Sequence, residues 1–325
     1  MPSALRPLLA VLVAAIPAVA AAAQEPAVLR VGVCADPHKD LVHDADERLR
    51  IFVERMRHEK VDAILQLGDF CFPKPANDRF LGIWRRFDGP RYHVIGNHEM
   101  DEGFTPEDSV RYWGMPGRYY SFDLGAFHFA VLDANDPPEG EARRGYPCGI
   151  RPDQLAWLRE DLAKADRPVV VCSHQPIGRP GMRNRDEVLA VLRDAKRPDG
   201  DTPKVVACFA GHNHLDQHDE IDGIHHVVIN SMSYVWLGRD HAHVRYSEEI
   251  DRAFPAQKFT GPYEDALYTI VEFDPAGEIR IAGMQSEWVG PSPFELGVDE
   301  AEKGDVMQPR ISARTLRFTP WGSQQ

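Results

Sequence analysis

The sequence predicts an α/β protein with mixed sheets, and three patterns carry this prediction. Between residues 28 and 95, apolar runs alternate with amphipathic segments in the order strand, helix, strand, helix, strand, which is typical of parallel sheets with right-handed crossovers. Two apolar runs on either side of Gly125 predict an antiparallel pair. Five strand-like runs end at turns with polar side chains, at the sheet edge where such folds bind ligands.

The first half of the chain predicts three strands separated by two helices. In the first helix, Leu49, Val53 and Met56 recur at three-to-four spacing, and acidic residues crowd the first turn. The predicted elements are strand 28–34, helix 44–60, strand 61–67, helix 78–87 and strand 91–95.

The second half predicts further strands and two more helices. Pro152 opens a helix with Leu155, Leu158 and Leu162 on one face, since proline is tolerated at the first helical position. The other predicted elements are strands 119–124, 126–132, 168–172, 204–209, 226–229, 267–273 and 279–284, helix 184–195 and an inserted surface loop at 239–262. A chain of 325 residues allows one large domain or two small ones, but no interior linker separates two. We expect one domain over 24–287 and a C-terminal tail, 288–325, packed on it.

The first 23 residues predict a cleaved secretory signal. Arg6 is the only charge before Glu25, an apolar run extends from Leu8 to Ile16, and small residues follow at 18–23. The alternative is a membrane anchor, but the run is short of the roughly 20 apolar residues that span a bilayer. We therefore expect a secreted or periplasmic protein without a stable membrane anchor.

Net charge and cysteine content argue against two classes of protein, nucleic-acid enzymes and disulfide-rich scaffolds. The formal net charge is −13 and no Lys/Arg cluster is present, so we do not expect nucleic acid as the substrate. The five cysteines are odd in number and lack the close-paired spacing of a metal site, so they form no disulfide framework. A disulfide between Cys71 and Cys148 stays open as an alternative, because the predicted compartment permits it.

The polar residues at the strand ends predict a metal site. Carboxylate, imidazole and amide ligands without thiolate suit zinc, manganese or iron. Seven such ligands are too many for one ion, but with Asp69 bridging they divide into two sets of four. Two-metal sites clamp the attacking and leaving oxygens of a displacement at phosphorus and supply hydroxide near neutral pH. The strand-end residues are Asp36 with His38, Asp69, Asn97 with His98, His174, and His212 with His214.

The ordered set D-x-H, G-D, G-N-H-E, S-H and G-H-x-H resembles the calcineurin-like metallophosphoesterase superfamily, in its bacterial phosphodiesterase-like branch. The resemblance spans residues 36–214 and implies a four-layer β-sandwich flanked by helices. It implies that His98 contacts the phosphoryl oxygen or protonates the leaving group. Phe72 and His38 differ from the tyrosine and glycine of purple acid phosphatases, so a charge-transfer iron centre is not expected. The implied ligands are Asp36, His38, Asp69 and His214 for one ion, and Asp69, Asn97, His174 and His212 for the other.

The function predicted from these features is hydrolysis of small phosphomonoesters or phosphodiesters. It would use two divalent or mixed-valence ions of iron, manganese or zinc and a metal-activated hydroxide, with His98 assisting the leaving group. The alternative is a non-catalytic, metal-dependent binder of a phosphorylated ligand. Glu99 and Asp40 are either ligand-orienting groups or solvated loop carboxylates, and Asn135 is a candidate substrate contact.

Overall fold

A computed structural model of the chain describes residues 27–137 and 145–321. The predicted signal segment, 1–23, lies outside the described residues. The strands are β1 Leu29–Cys34, β2 Ala63–Gln66, β3 Arg91–His93, β4 Tyr120–Leu124, β5 Phe127–Val131, β6 Val169–Cys172, β7 Val205–Ala210, β8 Gln217–Ile221, β9 Ile224–Val228, β10 Tyr234–Trp236, β11 Thr260–Pro262, β12 Thr269–Asp274, β13 Glu278–Ile281, β14 Met284–Gln285, β15 Arg310–Ile311 and β16 Arg314–Arg317. The α-helices are α1 Ala45–Glu59, α2 Asp78–Trp84, α3 Pro106–Trp113, α4 Pro152–Lys164, α5 Arg185–Asp194, α6 Glu248–Ala253 and α7 Glu300–Lys303.

Twelve of these strands form two six-stranded mixed sheets. The first has the order β16-β13-β12-β1-β2-β3, with β1, β2 and β3 parallel and the remaining pairs antiparallel. The second has the order β4-β5-β6-β7-β9-β8, with β5, β6, β7 and β9 parallel between two antiparallel edge strands. The predicted α/β class with mixed sheets is confirmed. The expectation that all five polar turns share the edge of a single sheet is wrong, because the parallel strands are divided between two sheets.

The two sheets pack face to face around aromatic side chains. Phe273 of the first sheet lies 5.4 Å from both Phe127 and Phe129 and 6.0 Å from Phe209 of the second, measured between ring centroids. Helices α1 and α2 cover the outer face of the first sheet, and α4 and α5 cover that of the second. The result is the predicted order of four layers, with a hydrophobic cluster on each side of the second sheet.

Helix α1 packs against β1 with Met56 over Gly32. A Cβ atom at Gly32 would lie 2.2 Å from Sδ of Met56, so a larger residue there would require the Met56 side chain to shift. The apolar residues that predict the helix, Leu49, Val53 and Met56, are buried as expected. The helix ends at Glu59, and the next residue, Lys60, has a left-handed φ of 53°.

Several regions differ from the sequence-based expectation. The predicted surface loop 239–262 contains α6, and its end, β11, pairs with β10. Strand β8 was not predicted, because an edge strand with a half-exposed face carries too many polar residues for an apolar run. Helix α3 was missed as well, since it is short and polar, although Thr105 and Asp108 form a capping box at its start.

The C-terminal residues and the cysteines also have defined positions. Strand β16, within the segment expected as a tail, pairs with β13 at the edge of the first sheet. All five cysteines are free thiols, so Cys71 and Cys148 are not joined. Within residues 27–137 and 145–321, no helix combines the length and apolar character needed to cross a bilayer.

His128 links β5 to its neighbours and makes stability depend on pH. Its Nδ1 lies 2.7 Å from Asp123 Oδ1 and its Nε2 lies 2.9 Å from Asp161 Oδ2. The bond to Asp161 raises the pKa of His128 above its usual value, although partial burial opposes this. A raised pKa means that the stabilisation is complete below the unfolded-state pKa of about 6.5 and is lost as pH rises through the folded-state value.

We therefore expect His128→Gln to lower the free energy of unfolding by about 1 kcal/mol near pH 5.5, a modest loss because both bonds are partly screened by solvent. The loss should be smaller near pH 9, because the stabilisation by the charged imidazole is lost as pH rises. Denaturant titrations at the two pH values would measure this difference. The exposed His58→Gln is the matched control and should change neither value. A larger loss near pH 9 than near pH 5.5 would contradict the charged-histidine explanation.

Candidate metal centre

The five polar turns lie next to one another at the edge shared by the two sheets. Three follow β1, β2 and β3 of the first sheet, and two follow β6 and β7 of the second. Main-chain hydrogen bonds join the turns within each sheet: the His38 N–H donates to the Asp69 carbonyl at 2.9 Å, and the Gly211 N–H donates to the His174 carbonyl at 3.1 Å. Side chains from both sheets therefore converge on one place.

Four of the predicted ligands form a buried cluster. The donor atoms of Asp36, His38, Asp69 and His214 all lie within 4.8 Å of one another. His38 Nε2 is 3.0 Å from His214 Nε2 and 3.6 Å from Asp69 Oδ2, and His214 Nε2 is 3.3 Å from Asp36 Oδ1. Two imidazole nitrogens and two carboxylate oxygens thus face a common point.

The other predicted ligands form a second cluster that shares Asp69. His174 Nε2 lies 3.1 Å from Asp69 Oδ2, 3.2 Å from His212 Nδ1 and 3.2 Å from Asn97 Oδ1. The same carboxylate oxygen, Asp69 Oδ2, therefore takes part in both clusters. The structure brings all seven predicted ligands together, and their role in metal binding stays a prediction.

The orientation of two imidazoles suits metal binding. His174 Nδ1 lies 2.8 Å from the Leu67 carbonyl, and His214 Nδ1 lies 2.8 Å from the Tyr234 carbonyl. A carbonyl only accepts, so each Nδ1 carries a proton, and in the neutral imidazole each Nε2 directs a lone pair into the cluster. Metal-ligating histidines are held in this way by a hydrogen bond from the other ring nitrogen.

The backbone at the site is strained in a way that local sequence does not require. Non-glycine residues rarely adopt a left-handed φ, which costs on the order of 1–3 kcal/mol and tends to occur at functional sites. Within the described residues, eight non-glycine positions have such a φ, and five of them are predicted ligands. These five are Asp36 (50°), His38 (50°), Asp69 (50°), His212 (70°) and His214 (52°).

Glycine at position 96 is required by the close approach of two turns. A Cβ atom there would lie 2.2 Å from both the backbone nitrogen and Oδ1 of Asp69. The glycine that precedes Asn97 therefore allows the turn after β3 to touch the turn after β2. This explains why a glycine begins the G-N-H-E segment.

The electrostatics of the clusters favour a bound cation. Among the described residues, the ion-pair partners of Asp36 and Asp69 are imidazoles, with no lysine or arginine within ion-pair distance. Burial alone would lower the pKa of His174, but Asp69 and Asp36 outweigh it and raise that pKa to about 10. Burial and the neighbouring His174 lower the pKa of His212 to about 4. A donor set of carboxylate, imidazole and amide that attracts positive charge so strongly fits two divalent ions.

His98 lies beside the clusters but is not part of them. Its backbone N–H donates to Asp69 Oδ1 at 2.9 Å, and its ring centroid is 5.2 Å from that of His38. Nδ1 lies 2.8 Å from Asp101 Oδ2, which leaves Nε2 free of this bond. Burial would lower the pKa of His98, but Asp69 and Asp101 raise it to about 9. The imidazole is thus placed to donate a proton next to the predicted ligands.

Asp101 and Tyr146 were missed in the sequence analysis. Asp101 Oδ2 contacts His98, and Asp101 Oδ1 accepts a 2.7 Å hydrogen bond from the Tyr146 hydroxyl. The spacing of three residues between His98 and Asp101 could have indicated the first contact. Tyr146 is 45 residues from Asp101, and no local pattern points to the second contact.

Glu99 is a buried structural group rather than a solvated carboxylate. Its Oε2 accepts from the Gly96 N–H at 2.6 Å and the Asp69 N–H at 3.3 Å, and its Oε1 accepts from the Phe70 N–H at 2.5 Å. Burial and the charge of Asp69 raise its pKa to about 8, although the backbone donors oppose this. Glu99 therefore ties the turn after β3 to the turn after β2.

Asp40 and Asn135 also have structural partners. Asp40 Oδ2 accepts from the Phe72 N–H at 2.8 Å and from Asn77 Nδ2 at 2.9 Å, which orders the loop after β2. Asn135 is fully buried, and its Nδ2 donates to the Ile95 carbonyl at 3.2 Å. The interpretation of Asn135 as a candidate substrate contact is not supported, because its side chain is enclosed by protein.

A family model described as calcineurin-like phosphoesterase matches residues 29–216, a range that contains every predicted site residue. The chain belongs to the calcineurin-like phosphoesterase family. The resemblance deduced from the strand-end motifs is therefore confirmed. All residues of the two clusters that share Asp69 lie within the matched range.

Individual relatives of this calcineurin-like chain have enzyme names. A rice protein named manganese-dependent ADP-ribose/CDP-alcohol diphosphatase is 30% identical in an alignment of 207 residues that covers 46% of this chain and 60% of that protein. A probable cyclic nucleotide phosphodiesterase of Rhodopseudomonas palustris is 28% identical in an alignment of 182 residues that covers 53% of this chain and 64% of that protein. The chain thus spans less than two thirds of either relative.

A solved structure supports the fold of the calcineurin-like domain. The dimetal phosphatase from Danio rerio has a TM-score of 0.56 and 18% identity, with 82% of this chain and 99% of that chain covered. At this identity the likeness concerns the fold alone.

Proposed function

We propose that this chain is a metal-dependent hydrolase of small phosphoesters. The observation that carries the proposal is the pair of buried clusters that share Asp69 Oδ2, with the His98 imidazole directly beside them. Family membership and the enzyme names of the relatives support the same chemistry.

The residues have separate tasks in this proposal. Asp36, His38, Asp69 and His214 would hold one ion, and Asp69, Asn97, His174 and His212 the other. When bound, two such ions polarise the phosphoryl group and lower the pKa of water.

The protein supplies the fixed donor geometry around these ions. His98, held by Asp101 through Nδ1, directs Nε2 to the departing alcohol and protonates it. The backbone N–H of His98 anchors Asp69, so the proton donor and the shared carboxylate keep a constant separation.

The substrate class is proposed from the relatives. ADP-ribose, CDP-alcohols and cyclic nucleotides, the compounds in their names, are small phosphoesters or diphosphates that carry a nucleoside. Manganese, named for the rice protein, is the first ion to test among manganese, iron and zinc. The net charge of −13 supports a small substrate rather than nucleic acid.

We also propose that residues 1–23 are removed as a secretory signal and that the mature protein is periplasmic or secreted. The apolar run and small residues of this segment support the proposal. Residues 24–287 would then form the catalytic domain, with 288–325 packed on it.

A non-catalytic binder is the weaker alternative. Such a protein would need the ligand clusters but would have no use for a proton donor, and His98 is both fixed by Asp101 and adjacent to His38. The hydrolase is therefore the better account of the site.

Metal removal and replacement test the proposed function. We expect chelated protein to be inactive, and protein reloaded with manganese to bind about two ions per chain and regain turnover. Metal analysis and initial rates on p-nitrophenyl phosphate, bis(p-nitrophenyl) phosphate, ADP-ribose and a cyclic nucleotide would measure both. Absence of turnover on every substrate with manganese, zinc and iron would refute the hydrolase.

A further inference from the structure

Tyr146 is an exposed aromatic residue that touches the candidate catalytic histidine. It is 53% exposed, and its ring centroid lies 4.9 Å from that of His98. Exposed large apolar side chains are uncommon in the described part of the chain, and only five are found. Tyr146 is the one among them with a ring contact to His98, so an exposed aromatic ring lies directly beside the candidate proton donor.

The Tyr146 ring is held in one orientation. Its hydroxyl donates to Asp101 Oδ1 at 2.7 Å and lies 3.3 Å from His98 Nδ1. Asp101 in turn contacts His98 through its other oxygen, so each of the three side chains contacts the other two. A ring that is already ordered loses little conformational entropy when a ligand packs against it.

The ring also ends a row that leads into the metal centre. Successive ring centroids from Tyr146 to His98, His38 and Tyr234 are 4.9, 5.2 and 5.0 Å apart. Tyr234 is buried at the inner end, and Tyr146 is exposed at the outer end. A phosphoryl group at the clusters near His38 would therefore extend its leaving group past His98 toward Tyr146.

We propose that Tyr146 forms one wall of a subsite that stacks against a planar ring, an aryl group or a nucleobase, carried by the leaving group of the substrate. This proposal rests on the proposed function, because it needs the phosphoryl group to bind at the two clusters. Stacking on tyrosine does not require hydrogen bonds to the edges of the ligand ring, so the subsite selects for a planar ring rather than for one particular base. Asp101 keeps the ring in place and does not itself contact the substrate ring.

Binding of two phosphonates would test the subsite without relying on turnover. Phenylphosphonate and methylphosphonate have the same anionic head, and their C–P bond is not a substrate for ester hydrolysis. We expect the manganese-loaded protein to bind phenylphosphonate about tenfold more tightly, in the range that stacking contributes. In Tyr146→Ala this preference should fall to about twofold or less, while methylphosphonate affinity stays unchanged. Isothermal titration calorimetry would give the four dissociation constants.

Two further variants separate ring stacking from loss of a hydrogen bond. Tyr146→Phe keeps the ring and should retain most of the preference. Tyr112→Phe is the matched control, because the hydroxyl of Tyr112, which lies on α3, also donates to an aspartate, Asp78, at 2.7 Å. It should bind both phosphonates as the wild type does.

The possible results distinguish the two proposals. Equal affinity of the wild type for both phosphonates, or an unchanged preference in Tyr146→Ala, would overturn the subsite and leave the hydrolase intact. Failure of the manganese-loaded wild type to bind either phosphonate would overturn the placement of the phosphoryl group and the subsite with it. Equal weakening of both phosphonates in Tyr146→Ala would also overturn the subsite, since it would assign Tyr146 to support of His98.

Discussion

Asp69→Asn is expected to empty both metal positions and abolish hydrolysis. Asp69 Oδ2 is the oxygen common to the two clusters, 3.1 Å from His174 Nε2 and 3.6 Å from His38 Nε2. Asparagine has nearly the same shape but no negative charge, so both clusters lose part of their attraction for a cation at once. The metal content should fall from about two ions to about none per chain, and turnover by on the order of a thousandfold, which corresponds to several kcal/mol of lost transition-state stabilisation.

The measurement combines metal analysis with initial rates on an aryl phosphodiester. Asp40→Asn is a suitable control, because Asp40 lies in a neighbouring turn and its contacts are to Phe72, Asn77 and Lys74 rather than to the clusters. Asp40→Asn should keep both ions, which would show that loss of a nearby carboxylate does not by itself release the metal. An Asp69→Asn protein that retains two ions and wild-type turnover would show that Asp69 does not bridge.

The sequence indicated which residues converge at the site because each of them follows a strand. A strand-like apolar run and the polar residues directly after it are local features, and the order of the five turns is specific enough to indicate the family. Each ligand could therefore be found without knowledge of the sheet to which its strand belongs. The metal-binding roles themselves stay predictions that the Asp69 variant tests.

The division of the strands between two sheets could not be predicted in the same way. The short, fully buried runs of β2 and β6 look alike, and their placement in different sheets depends on pairing between distant segments. The same limit applies to Tyr146, which reaches Asp101 across 45 residues. It applies to Glu99 as well, because the backbone donors that satisfy its buried carboxylate, Phe70 and Asp69, belong to another turn about 30 residues away.

The strained backbone at the site shows how the packing of the two sheets shapes the turns that carry the predicted ligands. Asp36, Asp69 and His212 adopt a left-handed φ although none is glycine, so local preference does not explain their conformation. Contacts between turns do: the His212 N–H donates to both oxygens of Asp36, at 3.1 and 3.0 Å. The two sheets thus hold each other's turns in conformations that the isolated segments would not favour.

His98→Ala is expected to keep both metal ions and lose most of the turnover. The His98 contact with Asp69 comes from the backbone N–H, at 2.9 Å, and alanine retains it. The substitution should therefore leave the clusters intact while removing the imidazole that Asp101 orients. General-acid assistance contributes about 10²- to 10⁴-fold, so a loss of turnover of this size is expected for substrates with an alkyl leaving group.

The size of the loss should depend on the leaving group, and this dependence identifies the role of His98. p-Nitrophenol leaves readily without a proton, so its esters should lose turnover by less than about tenfold, whereas alkyl esters should show the full effect. Rates on matched aryl and alkyl phosphodiesters, with metal content determined on the same samples, would measure this. His98→Gln serves as a second variant, because it keeps a polar side chain but cannot donate a proton from an imidazolium. If both variants lost turnover equally for aryl and alkyl esters while retaining two ions, His98 would act by contacting the phosphoryl oxygen and not by protonating the alcohol.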